Sequence, residues 1–202
     1  DSGHIQEMEV EWKNRKRARK GEKPLPPMYT AEDAAKSLEI FQPVQYDEIV
    51  TIDDNISVRF NDAGHMLGSA IIEVWVTENG KTEKAVFTGD LGNNDIPLLS
   101  PPTMISDADY LIMESTYGNR LHIRNDDKAN IFLDVVYETL EKGGTVVIPS
   151  FAVGRTQEIL YELNRIKEEK HDEEFYKKYQ RLMSVPVYVD SPLPISATEV
   201  FK

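Results

Sequence analysis

The residues best suited to chemistry are a small set, and their spacing restricts what they can do. His65 follows a glycine in Asp62-Ala63-Gly64-His65, and Asp90 follows one in Thr88-Gly89-Asp90. Glycine lets the backbone turn sharply and present the next side chain. A neutral imidazole and a carboxylate brought to one rim suit zinc or a similar divalent ion. Glu114, directly after the apolar run Tyr110 to Met113, is a third polar group at the end of an expected strand. From spacing alone His65 and Asp90 read first as turn residues. A catalytic zinc also takes three protein ligands and keeps one open position. The chain has four histidines (His4, His65, His122, His171), no cysteine, and neither an HxHxDH cluster nor an HExxH pair. Thiolate sites and disulfides are therefore excluded, and the composition points to a reducing cytoplasm.

These residues need a packed frame, and the composition supplies one. The chain has 202 residues, 40% of them hydrophobic, enough for one large domain or two small ones. No apolar run is long enough to span a bilayer, so no membrane association is expected. The net charge of −12 is unevenly spread. Between Lys13 and Lys23 lie seven basic residues and one acid, leaving 16 basic and 34 acidic residues elsewhere, a net of −18. Such a segment reads as a solvated connection, or as a local holder of phosphates.

Residues 1–6 read as a strand end running into a turn, where His4 would hydrogen-bond structurally. Pro24, Pro26 and Pro27 forbid helix beyond the basic run. Thr30 and Asp33 are spaced for a helix N-terminus, and Pro43 stops that helix. Residues 44–60, 70–76 and 84–88 read as strands. Asn79-Gly80 between the last two is a hairpin signal, because both central positions of a type I′ turn need positive φ. If those are the turn residues, Asp90 lies opposite Ser69, and His65 reaches the same sheet end. Beyond Tyr110 to Met113 the pattern alternates. A helix carries Phe132, Val135, Val136 and Leu140, a strand covers Thr145 to Ile148, a helix carries Ile159, Leu160, Leu163 and Ile166, and a strand covers Val185 to Val189. That order predicts a parallel sheet covered by helices, with a domain boundary near Leu121. His171 is expected to be solvated, and 171–184 to be a surface insertion, helical in character.

Ser150 to Thr156 joins a strand end to a helix start, where free N–H groups favour an anion. Arg155 there is either a forked donor to a phosphate or the partner of a nearby acid. Asp190-Ser191-Pro192 makes a similar corner and reads first as a turn with a helix cap. His122 could approach the cleft or serve structurally.

In combination the motifs are specific. Asp62-Ala63-Gly64-His65-Met66-Leu67-Gly68-Ser69, Phe87-Thr88-Gly89-Asp90-Leu91-Gly92, Glu114-Ser115-Thr116-Tyr117-Gly118, Pro149-Ser150-Phe151-Ala152-Val153-Gly154-Arg155-Thr156-Gln157 and Val189-Asp190-Ser191-Pro192 follow in order. The chain resembles, along its whole length, the β-CASP branch of the metallo-β-lactamase-fold nucleases. The resemblance implies an α/β protein: residues 1–121 as part of a metallo-β-lactamase αββα sandwich, and 122–202 as the first part of a β-CASP parallel-sheet domain. It implies a two-zinc phosphodiester hydrolase acting on RNA in processing or decay, with manganese as the alternative ion. His65 would ligate one ion and Asp90 would bridge both. Glu114 would orient a histidine supplied later, and Ser150, Arg155 and Ser191 would contact substrate. The expected reaction is in-line attack of ion-activated water on phosphorus. The family's HxHxDH motif is expected before Asp1 and further histidine motifs after Lys202. The chain therefore reads as a middle fragment, inactive alone, of an active parent. The competing readings are a metal-free scaffold that binds RNA, and a hydrolase of DNA or a small substrate.

Overall fold

A computed structural model describes residues 2–94, 96–121 and 128–201. The expectation for His122 falls outside the described residues. The chain divides into two compact units, 1–45 and 46–202.

The first unit is helical. Helix α1 spans Ser2–Ala18, so the strand end expected at its start is not formed, and the basic run closes a helix instead of connecting elements. The physical reason is local. Glu9 pairs with Lys13 and Glu11 with Arg15 (2.6 Å) one turn apart, and Arg15, Lys16 and Arg17 sit at the negative end of the helix dipole. His4 is exposed on this helix, with Nδ1 3.5 Å from Glu7. Helix α2 spans Ala31–Ser37 and opens with the expected capping box. The Thr30 hydroxyl accepts from the Asp33 N–H, and the Asp33 carboxylate accepts from the Thr30 N–H. Gly3 allows α1 and α2 to approach, because a Cβ there would lie 2.6 Å from the Ala31 backbone.

The second unit begins with a mixed five-stranded sheet in sequential order: β1 Ile49–Thr51, β2 Ile56–Asp62, β3 Ala70–Glu78, β4 Lys81–Phe87 and β5 Tyr110–Ile112. The first four are antiparallel, and β5 runs parallel to β4. The β3–β4 hairpin turns at Asn79 (φ 52°) and Gly80 (φ 76°), as its turn chemistry requires. The register runs from Glu78↔Lys81 to Ile72↔Phe87. One sheet face buries Ile71 and Val86 with Ala63, packed by Leu91 and Ile105.

The same face buries charge. Glu73 is fully buried and bonded by Arg59 (2.5 Å), Lys84 (2.5 Å) and Asn61 (2.8 Å). Asp107 adds a contact to Lys84 at 3.1 Å. Burial alone would raise the Glu73 pKa, but the hydrogen bonds from Arg59, Lys84 and Asn61 outweigh it and hold the carboxyl at about 2.

Among the described residues four helices follow: α3 Lys128–Glu141, α4 Arg155–Glu168, α5 Glu173–Ser184 and α6 Pro192–Val200. Leu133, Val136 and Leu140 of α3 form a core with Ile166 of α4 and with Tyr179 and Leu182 of α5. Within 171–184 the expected helix forms as α5, but it does not lie wholly at the surface, because its Tyr179 and Leu182 are buried in this core. His171 is half-buried, not solvated: its Nε2 lies 2.7 Å from the Ile166 carbonyl at the end of α4, and its ring stacks on Phe175 at 3.7 Å. The strands expected at Thr145 to Ile148 and Val185 to Val189 are not formed. A lone extended segment has no ladder to satisfy its backbone, and neither finds one among the described residues. Pro186 also removes a donor from the second.

Candidate functional site

The sheet topology decides which loops meet. Asp62 is paired with Ala70, Ile72 with Phe87, and Phe87 with Ile112 in parallel. Strand β2 therefore ends, β3 begins, and β4 and β5 end at one edge of the sheet. Three loops leave there: 63–69, 88–94 and 113–118. They carry His65, Asp90 and Glu114 respectively. The expected rung between Ser69 and Asp90 lies beyond the ladder, which stops at Ile72↔Phe87. The two loops stay close nevertheless, since a Cβ on Gly89 would sit 3.3 Å from the Ala70 carbonyl. Residues 65–70 together with Gly89 and Asp90 line one cleft of about 290 Å³. His65 and Asp90 are both solvent-exposed in it.

Hydrogen bonds to its backbone hold the His65 loop in shape. The Asp62 carboxylate accepts from the Gly64 N–H at 2.8 Å. The Ser69 hydroxyl accepts from the N–H groups of His65 and Met66, both at 3.2 Å. The Ser69 carbonyl accepts from the Tyr46 hydroxyl at 2.8 Å and from the Ala63 N–H at 3.2 Å. The Asp90 loop is then stapled to it, because the Gly92 N–H donates to the Ala63 carbonyl at 2.8 Å. Here glycine is required twice. Gly64 has φ +63° and a Cβ there would lie 2.7 Å from the Ser100 carbonyl, while a Cβ on Gly92 would overlap the Gly64 carbonyl.

Glu114 joins the third loop to the second. Its carboxylate accepts from the Leu91 N–H at 2.7 Å, one residue beyond Asp90, and its own N–H donates to the Thr88 hydroxyl at 3.3 Å. The Leu91 N–H, then the Thr116 hydroxyl and N–H, hold its carboxyl below the ordinary value. Glu114 is thus an ionised acceptor beside the cleft.

The donors present match a divalent ion in kind, one imidazole and one carboxylate. They fall short in number: among the described residues no group of three metal-ligating side chains is assembled.

The remaining expected site residues lie at helix starts. The Ser150 hydroxyl is 2.9 Å from that of Thr156, which bonds the Phe151 carbonyl at 2.7 Å. Arg155 takes the acid-pairing alternative, contacting Glu158 at 2.7 Å while two-thirds exposed. Ser191 is the N-cap of α6 with Pro192 following, but its hydroxyl makes no capping bond. No described contact brings these three to the His65–Asp90 cleft.

Sequence reasoning assigned no role to Gln157, Ser69 or Tyr46. Gln157 is buried and accepts from the Gly154 N–H (2.7 Å) while donating to Ala152, Pro194 and Thr198, which ties the start of α4 to α6. Its position three residues into the helix was the available signal. Ser69 next to Gly68 was a weaker one, and nothing local marked Tyr46.

No protein-family model matches the chain. It is 36% identical to "Ribonuclease TTHA0252" of Thermus thermophilus over 83% of this chain and 35% of that protein. It is 38% identical to an "RNase J-like protein" of Methanocaldococcus jannaschii over 86% of this chain and 38% of that one. Identity to "Cleavage and polyadenylation specificity factor 73" of Drosophila melanogaster is 31%, over 87% of this chain and 24% of the relative. The chain thus spans little more than a third of the first two of these relatives and about a quarter of the third.

Proposed function

We propose, from the premise that this chain belongs to the β-CASP family of metallo-β-lactamase-fold nucleases, that the protein containing it hydrolyses RNA phosphodiesters with divalent ions. The observation that carries the reading is the convergence of His65 and Asp90 on one cleft at the sheet edge. The relatives whose names specify ribonuclease activity support the substrate class. In this reading the sheet-bearing part, within 1–121, belongs to the lactamase-like αββα sandwich, and 122–202 begins the β-CASP domain. A cytoplasmic setting accompanies it, consistent with a chain that has no cysteine.

His65 and Asp90 are proposed as ligands, with Asp90 shared between two zinc ions or their manganese substitutes. Further ligands would have to come from outside the described residues, among which no third is assembled. Bound divalent ions supply a lowered pKa for water and charge neutralisation on the phosphoryl oxygens. The chain's own residues set the geometry. Ser69 fixes the His65 backbone, Gly92 fixes the spacing of the two loops, and ionised Glu114 holds the Leu91 N–H and with it the Asp90 turn. Arg155, Ser150 and Ser191 are proposed as substrate contacts at two helix starts. Arg155, itself two-thirds exposed, reaches phosphate by exchanging its Glu158 pair.

The test is cleavage of a labelled single-stranded RNA by the full-length protein loaded with zinc or manganese, against DNA of the same sequence. RNA cleavage with two bound ions supports the proposal. A fully loaded protein that leaves RNA intact overturns it, and preferential cleavage of DNA reassigns the substrate.

A further inference from the structure

The basic segment offers an interaction surface that the cleft does not use. Residues 14–25 form a folded knuckle at the end of α1. Asn14 makes two bonds to the Leu25 backbone, donating to its carbonyl and accepting from its N–H, both at 2.8 Å. Arg17 donates to the Lys23 carbonyl at 2.8 Å and pairs with Glu22 at 2.8 Å. The Lys20 and Glu22 N–H groups both close on the Arg17 carbonyl. These bonds neutralise the segment's one acid and account for Arg17. Lys13 and Arg15 are matched by Glu9 and Glu11. Four cations remain without an acidic partner among the described residues: Lys16, Arg19, Lys20 and Lys23. Lys16 lies 3.5 Å above the ring of Trp12, which is 57% exposed.

An ordered turn bearing four uncompensated cations within eight positions, beside an exposed indole, matches a single strand of nucleic acid. Phosphates neutralise the cations, and a base stacks on the ring. The rest of the chain carries a net charge of −18, which makes this segment its basic exception. We propose that the Lys16–Lys23 knuckle is a secondary binding surface for single-stranded RNA, holding the backbone of the strand electrostatically with Trp12 as a stacking platform. This identity of the strand rests on the function proposed above.

The experiment uses the full-length protein in EDTA, so that binding is measured without turnover. The anisotropy of a labelled twelve-nucleotide uridine-rich RNA is followed from 50 to 300 mM salt. The K16Q/R19Q/K20Q/K23Q variant is expected to bind about tenfold more weakly at low salt. Its log–log salt slope should fall by about 3, at roughly 0.7 per lost phosphate contact on a single strand. W12A should weaken binding and leave the slope unchanged. Should the quadruple variant lose helix, R19Q/K20Q carries the test with half the slope change, since neither side chain makes a described structural bond. Unaltered affinity and slope overturn the proposal, as does equal competition by poly-glutamate, which would assign the surface to an acidic protein. Cleavage of the same RNA on restoring zinc or manganese is scored separately. Cleavage with unaltered binding by the variant sinks the knuckle alone, and knuckle-dependent binding without cleavage sinks the hydrolase alone.

Discussion

The sheet holds two polar clusters that use the same residue types in opposite ways. Around Glu73 every charge is matched: a fully buried carboxylate meets Arg59, Lys84 and Asn61, and Asp107 contacts Lys84 in turn. At the sheet edge, His65 and Asp90 share a cleft and stay exposed, while the bonds are made by their neighbours' backbone and by Ser69, Gly92 and Glu114. Burying a charge is tolerable only when it is paired, so the first cluster has no capacity left for a ligand. The second keeps its side chains unspent and places structural duty one residue away. That division is what a ligand-binding rim requires.

The contrast can be broken at several points. Glu73→Gln removes the buried carboxylate that Arg59 and Lys84 share, leaving Lys84 only its Asp107 contact, and should cost about 3–5 kcal/mol, the usual loss when one partner of a buried pair is removed. Urea unfolding measures it, and a loss below 1 kcal/mol would make the cluster incidental. Asp90→Asn should do the reverse. Unfolding stays at the parental midpoint, while metal content and turnover of the full-length protein fall by at least about 100-fold, the upper end seen even for outer-shell partners. Wild-type ion content with wild-type turnover would remove Asp90 from the site.

Smaller effects sharpen the same distinction. Gly92→Ala forces the two loops apart and should cost about 2 kcal/mol, within the range for a forced steric misfit. Here turnover should drop further than stability alone explains, because the His65–Asp90 spacing changes. Ser69→Ala should cost about 1 kcal/mol, the net worth of an ordinary hydrogen bond, and raise KM for the metal rather than unfold the chain.

The acid limb gives the gentlest test. The Glu73 carboxyl sits at about 2 in the folded protein against an ordinary 4.5. Its contribution is fully present above pH 4.5 and is lost as pH falls toward 2. The urea midpoint of the parent should therefore decline between pH 5 and 2.5, and that of Glu73→Gln should decline less. Parallel curves would place the acid sensitivity elsewhere.

How far the sequence could be read depends on how local each signal is. Thr30 and Asp33 cap α2 as their spacing requires, and Asn79-Gly80 sets a register that holds for every rung of the hairpin. From that register alone, His65 and Asp90 are sent to one sheet edge. The helical periods of α3 and α4 are legible too, since an apolar stripe needs only its own stretch of sequence to be recognised, but the α3 face buries Leu133 with Val136 and Leu140 and leaves the expected Val135 exposed. Residues 1–6 do not read as helix because the acid–base pairs one turn apart that favour it begin only at Glu9. Thr145 to Ile148 and Val185 to Val189 were misread for a different reason. Their apolar residues are strand-like, but a strand exists only with a neighbour.

His171 and Tyr179 show the same limit from the other side. Nothing in a run of charges announces that a histidine will close a helix end or that α5 will contribute to a core. By itself, then, the sequence determined the capped helix, the hairpin and its register, and the chemical kinds of donor at the rim. Each of these follows from backbone geometry within a few residues. Tertiary structure alone decided that Glu73 is buried and paired, that Gly92 staples one loop to another, and that Tyr46 supports Ser69. Those contacts join residues far apart in the chain, and their energies depend on burial and on which group arrives opposite, which no local pattern encodes.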